Sequence, residues 1–154
     1  MNLVDELHAI AAALDRAGID YAVCGGVAVT MHGATRSTKD LDLLVRPADL
    51  PRIIELVRPL GYAFPALPMT FDPGTPRERH VQRISKLDGT AHLVLDLILA
   101  QSAFAGALDD RVVLELPTGR LAVVSRATLV RMKTLAGRPQ DLADLEKLEA
   151  ADEP

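Results

Sequence analysis

The chain has 154 residues, 49% of them hydrophobic and 25% charged, which suits one soluble domain with a single core. Its 21 acids outnumber its 17 bases, and the net charge of −4 argues against a protein that grips nucleic acid through overall basicity. One cysteine, Cys24, excludes an internal disulfide. No stretch approaches the ~20 apolar residues of a membrane span, and the first residues carry acids where a secretory leader would carry bases. These features place the expected protein in the cytoplasm, away from membranes.

Leu3, Val4, Leu7, Ile10, Ala11 and Leu14 recur at spacings of three and four, which predicts an amphipathic helix over 2–17, capped by Asn2 and stopped at Gly18. Tyr21 to Cys24 reads as a short buried strand, broken by Gly25-Gly26 and followed by a short helix from Val27 to His32. Thr35 to Lys39 is polar and reads as a loop. Asp40 to Val45 alternates acid and apolar residues at first, as a strand with two different faces does. A second amphipathic helix is expected over 48–60, through Leu50, Ile53, Ile54, Val57 and Leu60.

Ala63 to Arg79 holds four prolines and a glycine and reads as a long loop of the kind that covers a site. Two hairpins are expected next: His80–Leu87 with Ala91–Leu99, turned at Asp88-Gly89, and Val112–Leu116 with Arg120–Val124. Ser125 caps a helix carrying Leu129, Val130, Met132 and Leu135, and a last helix runs from Asp141 to Ala150. The pattern is α+β, a mixed β-sheet with helices packed mainly on one face. We read 1–154 as one domain, with the helices of 125–150 packing on it.

The chemistry is concentrated in 24–45, CGGVAVTMHGATRSTKDLDLLV. Asp40 and Asp42 sit two apart on the expected strand, so both carboxylates leave the same face, about 7 Å apart at Cα. Side chains so placed can hold oxygen-ligated divalent cations, which favours magnesium, with manganese as an alternative. The plainer reading is that both face water on an edge strand. Asp96 is the one charged residue in the apolar run Leu93 to Leu99, where an acid is costly unless paired or bound to a metal. A strand bearing Asp96 beside that of Asp40 and Asp42 would bring three carboxylates together, with Asp96 also able to take a proton from an attacking hydroxyl. The competing reading has Asp96 satisfied by His92 or an arginine. Gly25-Gly26, between a strand and a helix, allow backbone N–H groups to approach phosphate oxygens.

Gly25-Gly26, Ala28, His32-Gly33, Arg36, Thr38, Asp40 and Asp42, with the later acid Asp96, resemble the DNA polymerase β-type nucleotidyltransferase superfamily. The string is similar to its small prokaryotic branch, which includes AbiEii-type abortive-infection toxins and minimal nucleotidyltransferases. Lys133 to Asp144 also resembles that branch. The resemblance implies the nucleotidyltransferase fold and magnesium-dependent transfer of a nucleoside monophosphate from an NTP to a hydroxyl, with release of pyrophosphate. It implies two ions held by Asp40 and Asp42, with Asp96 completing the catalytic one. Gly25, Gly26, Arg36, Thr38 and Lys133 would meet the nucleotide. Gly26 departs from the wider pattern, where serine is common.

The acceptor is left open among a tRNA or other RNA end, a protein hydroxyl and a small antibiotic. A large acceptor would meet the basic cluster Arg77, Arg79, Arg83 and Lys86. Arg138, Asp141 and Asp144 are expected as an ion-pair network docking the last helix, or as substrate-positioning groups. A toxin role with an antitoxin partner follows from the branch. The alternatives are a non-catalytic nucleotide-binding or antitoxin-partner module of the same fold, and a phosphoesterase using the same acids. The retention of all three acids favours catalysis.

Overall fold

A computed structural model describes residues 2–34 and 39–152. Helix α1 spans Leu3–Arg16, and the Asn2 side chain accepts hydrogen bonds from the backbone N–H groups of Val4 (2.9 Å) and Asp5 (3.3 Å), as an N-cap should. Its stripe of Leu7, Ile10, Ala11 and Leu14 is buried. Strand β1 (Tyr21–Cys24) is buried at every position and runs directly into α2 (Gly25–Met31). Strand β2 occupies Asp40–Val45. Helix α3 (Leu50–Val57) is flanked by single 3-10 turns, Pro47–Asp49 and Arg58–Leu60.

The proline-rich stretch after α3 is not one long loop. It contains two short strands, β3 (Tyr62–Pro65) and β4 (Met69–Phe71), both antiparallel to β5 (Arg79–Asp88). Proline lacks a donor and is tolerated on such an edge, while Phe64, Thr70 and Phe71 favour extended backbone. The link between the two strands stays tied to β5, since Ala66 N–H donates to the Arg83 carbonyl (2.9 Å) and the Gln82 side-chain amide donates to the Ala66 carbonyl (2.7 Å). Strand β6 (Ala91–Leu99) completes the first hairpin, and β7 (Val112–Leu116) with β8 (Gly119–Val123) forms the second.

The sheet order is β3-β5-β6-β2-β1-β8-β7, with β4 on the same edge of β5 as β3. β2 is parallel to β6 and antiparallel to β1, and β1 meets β8 in parallel at Val23–Val123. The sheet is therefore mixed, as expected. Helices α4 (Arg126–Ala136) and α5 (Pro139–Asp152) follow; Ser125 Oγ caps α4 by accepting from Thr128 N–H at 3.0 Å. The helices form two groups, α1 with α3, and α2 with α4 and α5.

Alternation along β2 and β6 divides the sheet chemically. Leu41, Leu43, Val45, Leu95 and Leu97 fall on one face and are fully buried with Leu7, Ile10, Leu14, Ile53 and Val57. Asp40, Asp42 and Asp96 fall on the other. Packing on the first face thus fixes the register that positions acids on the second. Replacing Leu43, which is 0% exposed, by alanine is expected to cost about 3 kcal/mol, read as a lower midpoint in urea unfolding with an unchanged slope.

Candidate active site

The register between β2 and β6 places Asp42 directly beside Asp96 and Asp40 beside Val94. Across β2, Asp42 faces Cys24 of β1. Burial pushes the Asp42 carboxyl up to about 7, helped by the like charges of Asp96 and Asp40, while Lys133 and Arg138 work the other way. The Cys24 thiol is fully buried and, chiefly through that burial, held well above its usual range, so it carries no nucleophilic chemistry.

Gly25 is explained by Asp42. A Cβ at Gly25 would lie 2.0 Å from Asp42 Oδ2, and the residue has φ +66°, the left-handed region that glycine adopts without strain. The absent side chain makes room for a carboxylate in the free protein, where the sequence suggested room for phosphate. Gly26 is buried in the first turn of α2.

Asp96 is held by Arg83, a residue that the sequence reading had put in a surface cluster. Arg83 donates from Nε to Oδ1 (2.8 Å) and from Nη2 to Oδ2 (2.9 Å), a bidentate pair. The hydrogen bonds to Asp96 raise the Arg83 pKa further. His92 turns instead to Ser85 Oγ at 2.9 Å. Of the two plainer readings of Asp96, the arginine is the one the fold supplies. No signal short of the β5–β6 register could have named Arg83, since it pairs with Asp96 across the hairpin.

The expected basic cluster is consumed internally. Arg79 bonds Asp72 (2.8 Å) and lies over the Phe71 ring, 5.2 Å from its centre. Arg77 donates to the Leu135 carbonyl, and Lys86 pairs with Glu6 at 2.5 Å. With Arg83 on Asp96, each of these cations has an internal partner.

Lys133 is buried, and its ammonium bridges Asp141 Oδ1 (3.1 Å) and Asp144 Oδ2 (2.9 Å) of α5. Asp141 also accepts from Arg138 Nε (2.7 Å) and from the Arg138 backbone N–H (3.1 Å), the half of a capping box that closes the start of α5. Burial works to raise the Asp141 carboxyl, and the bonds from Arg138 and Lys133 more than offset it, leaving it below the usual range. The docking network expected for the last helix is present, with Lys133 at its centre. His32 Nε2 lies 2.9 Å from the Val124 carbonyl. Arg36 and Thr38 lie outside the described residues.

These groups line one cleft of about 680 Å³. Gly25, Gly26, Asp40, Asp42 and Asp96 form one part; Lys133, Arg138, Gln140 and Asp141 form another; Met69, Phe71, Val81, Ile98 and Phe104 make an apolar wall. Among the described residues no group of three or more His, Cys, Asp or Glu side chains is arranged to hold a metal ion. Asp96 is paired with Arg83. Asp40 and Asp42 nevertheless suit a hard cation: both are oxygen donors on one face, and the accumulated negative charge that raises Asp42 is what a cation relieves.

A family profile for aminoglycoside-2''-adenylyltransferase matches residues 6–81, just under half of the chain. The match includes Gly25, Gly26, Asp40 and Asp42 and stops before Asp96. No curated protein sequence matches the chain. Among solved structures, a Thermotoga maritima protein provisionally described as a nucleotidyltransferase is similar with TM-score 0.66 at 11% identity, covering 96% of this chain and 92% of its own. The lincosamide antibiotic adenylyltransferase LnuA, solved with lincomycin bound, gives TM-score 0.56 at 13% identity, covering 96% of each chain. ANT(2")-Ia in complex with adenylyl-2"-tobramycin gives 0.59 at 17% identity, covering 96% of this chain and 93% of its own. The fold is that of the nucleotidyltransferases. The matching profile and two of these three neighbours are named for antibiotic adenylyl transfer.

Two outcomes follow from the charge arrangement. Replacing Lys133 by methionine leaves two buried carboxylates without their shared cation and is expected to cost about 3–5 kcal/mol, seen as a lowered Tm. Asp42 has a native pKa above its unfolded value, so the native state holds the proton between pH ~4 and ~7 and stability falls as pH rises through that window. In the presence of a chelator, Asp42→Asn should therefore melt above the wild type at pH 8, by an amount equivalent to about 4 kcal/mol. That advantage should shrink toward pH 4.

Proposed function

We propose that this protein transfers an adenylyl group from ATP to a hydroxyl of a small acceptor molecule and releases pyrophosphate. The observation that carries this reading is the side-by-side placement of Asp42 and Asp96, with Asp40 on the same face, in a cleft that Gly25 opens. Asp40 and Asp42 would hold magnesium, with manganese as a substitute. The bound ions would supply neutralisation of the triphosphate and activation of the attacking oxygen.

The chain's own groups have separate tasks. The acceptor oxygen forms a bond to the α-phosphorus as the bond to the β-phosphate oxygen breaks, and pyrophosphate leaves with that electron pair. Asp96 takes the hydroxyl proton. Gly25 and Gly26 leave space for the phosphates to approach the backbone, and Arg36, Thr38 and Lys133 are assigned to the donor. Lys133 and Arg138 line the cleft beside Asp42 and act on its charge, which supports a role beside the phosphates.

A small acceptor suits the enclosed cleft and its apolar wall better than a macromolecule does, because the nearby cations are already paired internally. The lincomycin and adenylyl-tobramycin in the related structures set the first acceptors to try. Among the described residues no helix is long and apolar enough to cross a membrane, so the acceptor is sought in the aqueous phase.

The test incubates the full chain with magnesium, α-labelled ATP and a panel of lincosamides, aminoglycosides and total cell RNA. Label is expected on a small molecule with stoichiometric pyrophosphate, and Asp42→Asn is expected to lower the rate about 100-fold or more. Transfer by Asp42→Asn at the wild-type rate would remove the carboxylates from the chemistry. Label found on RNA alone would overturn the small acceptor.

A further inference from the structure

Arg83 stands out because it occupies the carboxylate that a catalytic cation would need. The Asp96 side chain is 12% exposed and the Arg83 side chain 43%. An acid this buried is costly when unpaired, so some cation has to accompany it. The guanidinium reaches it from β5, directly across the hairpin from Asp96, and lines the same cleft. Its exposure leaves the arginine free to turn away, while Asp96 stays fixed within the sheet by its pairs with Asp42 and Arg83 backbones.

We propose that Arg83 is a positioning residue that keeps the place of a divalent cation: it holds Asp96 until an ion bound at Asp40 and Asp42 takes the carboxylate, and its guanidinium then turns into the cleft to meet the donor phosphates. The inference rests on the reading of Asp40 and Asp42 as cation ligands. It explains why an arginine, and not a neutral donor, lies opposite Asp96: a released guanidinium still matches phosphate oxygens in a bidentate fork.

The exchange is read without turnover. In the ¹⁵N-labelled full chain, the Arg83 Nε–H resonance, assigned by its loss in Arg83→Lys, is expected to be exchange-protected without magnesium and to lose that protection at saturating magnesium. By calorimetry without nucleotide, Arg83→Gln is expected to bind Mn²⁺ about tenfold more tightly than the wild type, the competing charged hydrogen bond having been removed. The gain should vanish in the Asp96→Asn background. Should Arg83→Gln fail to fold, Arg83→Lys decides: a smaller gain supports the exchange. An Arg83 resonance unchanged at saturating magnesium, or arginine variants that bind Mn²⁺ no more tightly than the wild type, would overturn it. A wild type that binds neither ion removes the reading of Asp40 and Asp42 as well, whereas a wild type that binds with Arg83 unmoved sinks this inference alone.

Discussion

Two acids held side by side on adjacent strands, β2 and β6, are the constraint around which this protein is organised. Six consecutive parallel pairs between β2 and β6 fix Asp42 against Asp96, and the pairs cannot slip without turning Leu41, Leu43, Leu95 and Leu97 out of the core. The hydrophobic face therefore holds the electrostatic one under strain. Burial, with the like charges of Asp96 and Asp40, raises the Asp42 carboxyl.

The surrounding groups relieve it by steps. Gly25 gives Asp42 space, Arg83 neutralises Asp96, and Lys133 and Arg138 temper Asp42 from the side of α4 and α5. Those two bases are themselves held by Asp141 and Asp144, so α5 is docked through the same charges that border the cleft. Among the described residues, four acids (Asp40, Asp42, Asp96, Asp141) and four bases (Arg79, Arg83, Lys133, Arg138) line it. The cleft offers no large net field, and recognition there depends on local pairs and on the apolar wall.

Local signals were legible wherever one element's own residues decide its form. The Asn2 cap, the heptad-like stripe of α1, the alternation of β2, the Asp88-Gly89 turn and the Ser125 cap each act within a few residues, and each appears where the sequence places it. Over 63–79 four prolines point to a loop and outweigh the extended preference of Phe64 and of Met69 to Phe71. What makes β3 and β4 strands is the free edge of β5, which no local pattern reports. The internal partners of Arg77, Arg79 and Lys86 are equally illegible locally: the Leu135 carbonyl, Asp72 and Glu6 lie in other elements or loops.

By itself, then, the sequence determined the α+β pattern, the pair Asp40 and Asp42 on one strand face, and the demand that Asp96 find a cation, because strand periodicity and the cost of burying charge are local physics. Only the tertiary structure decided which cation answers Asp96, that Gly25 serves the Asp42 carboxylate, and that Lys133 lies buried between two acids of α5. Those outcomes depend on register and packing between separate elements (β5 with β6, α2 with β2, α4 with α5), where many pairings satisfy the same local rules and only the shared core selects one.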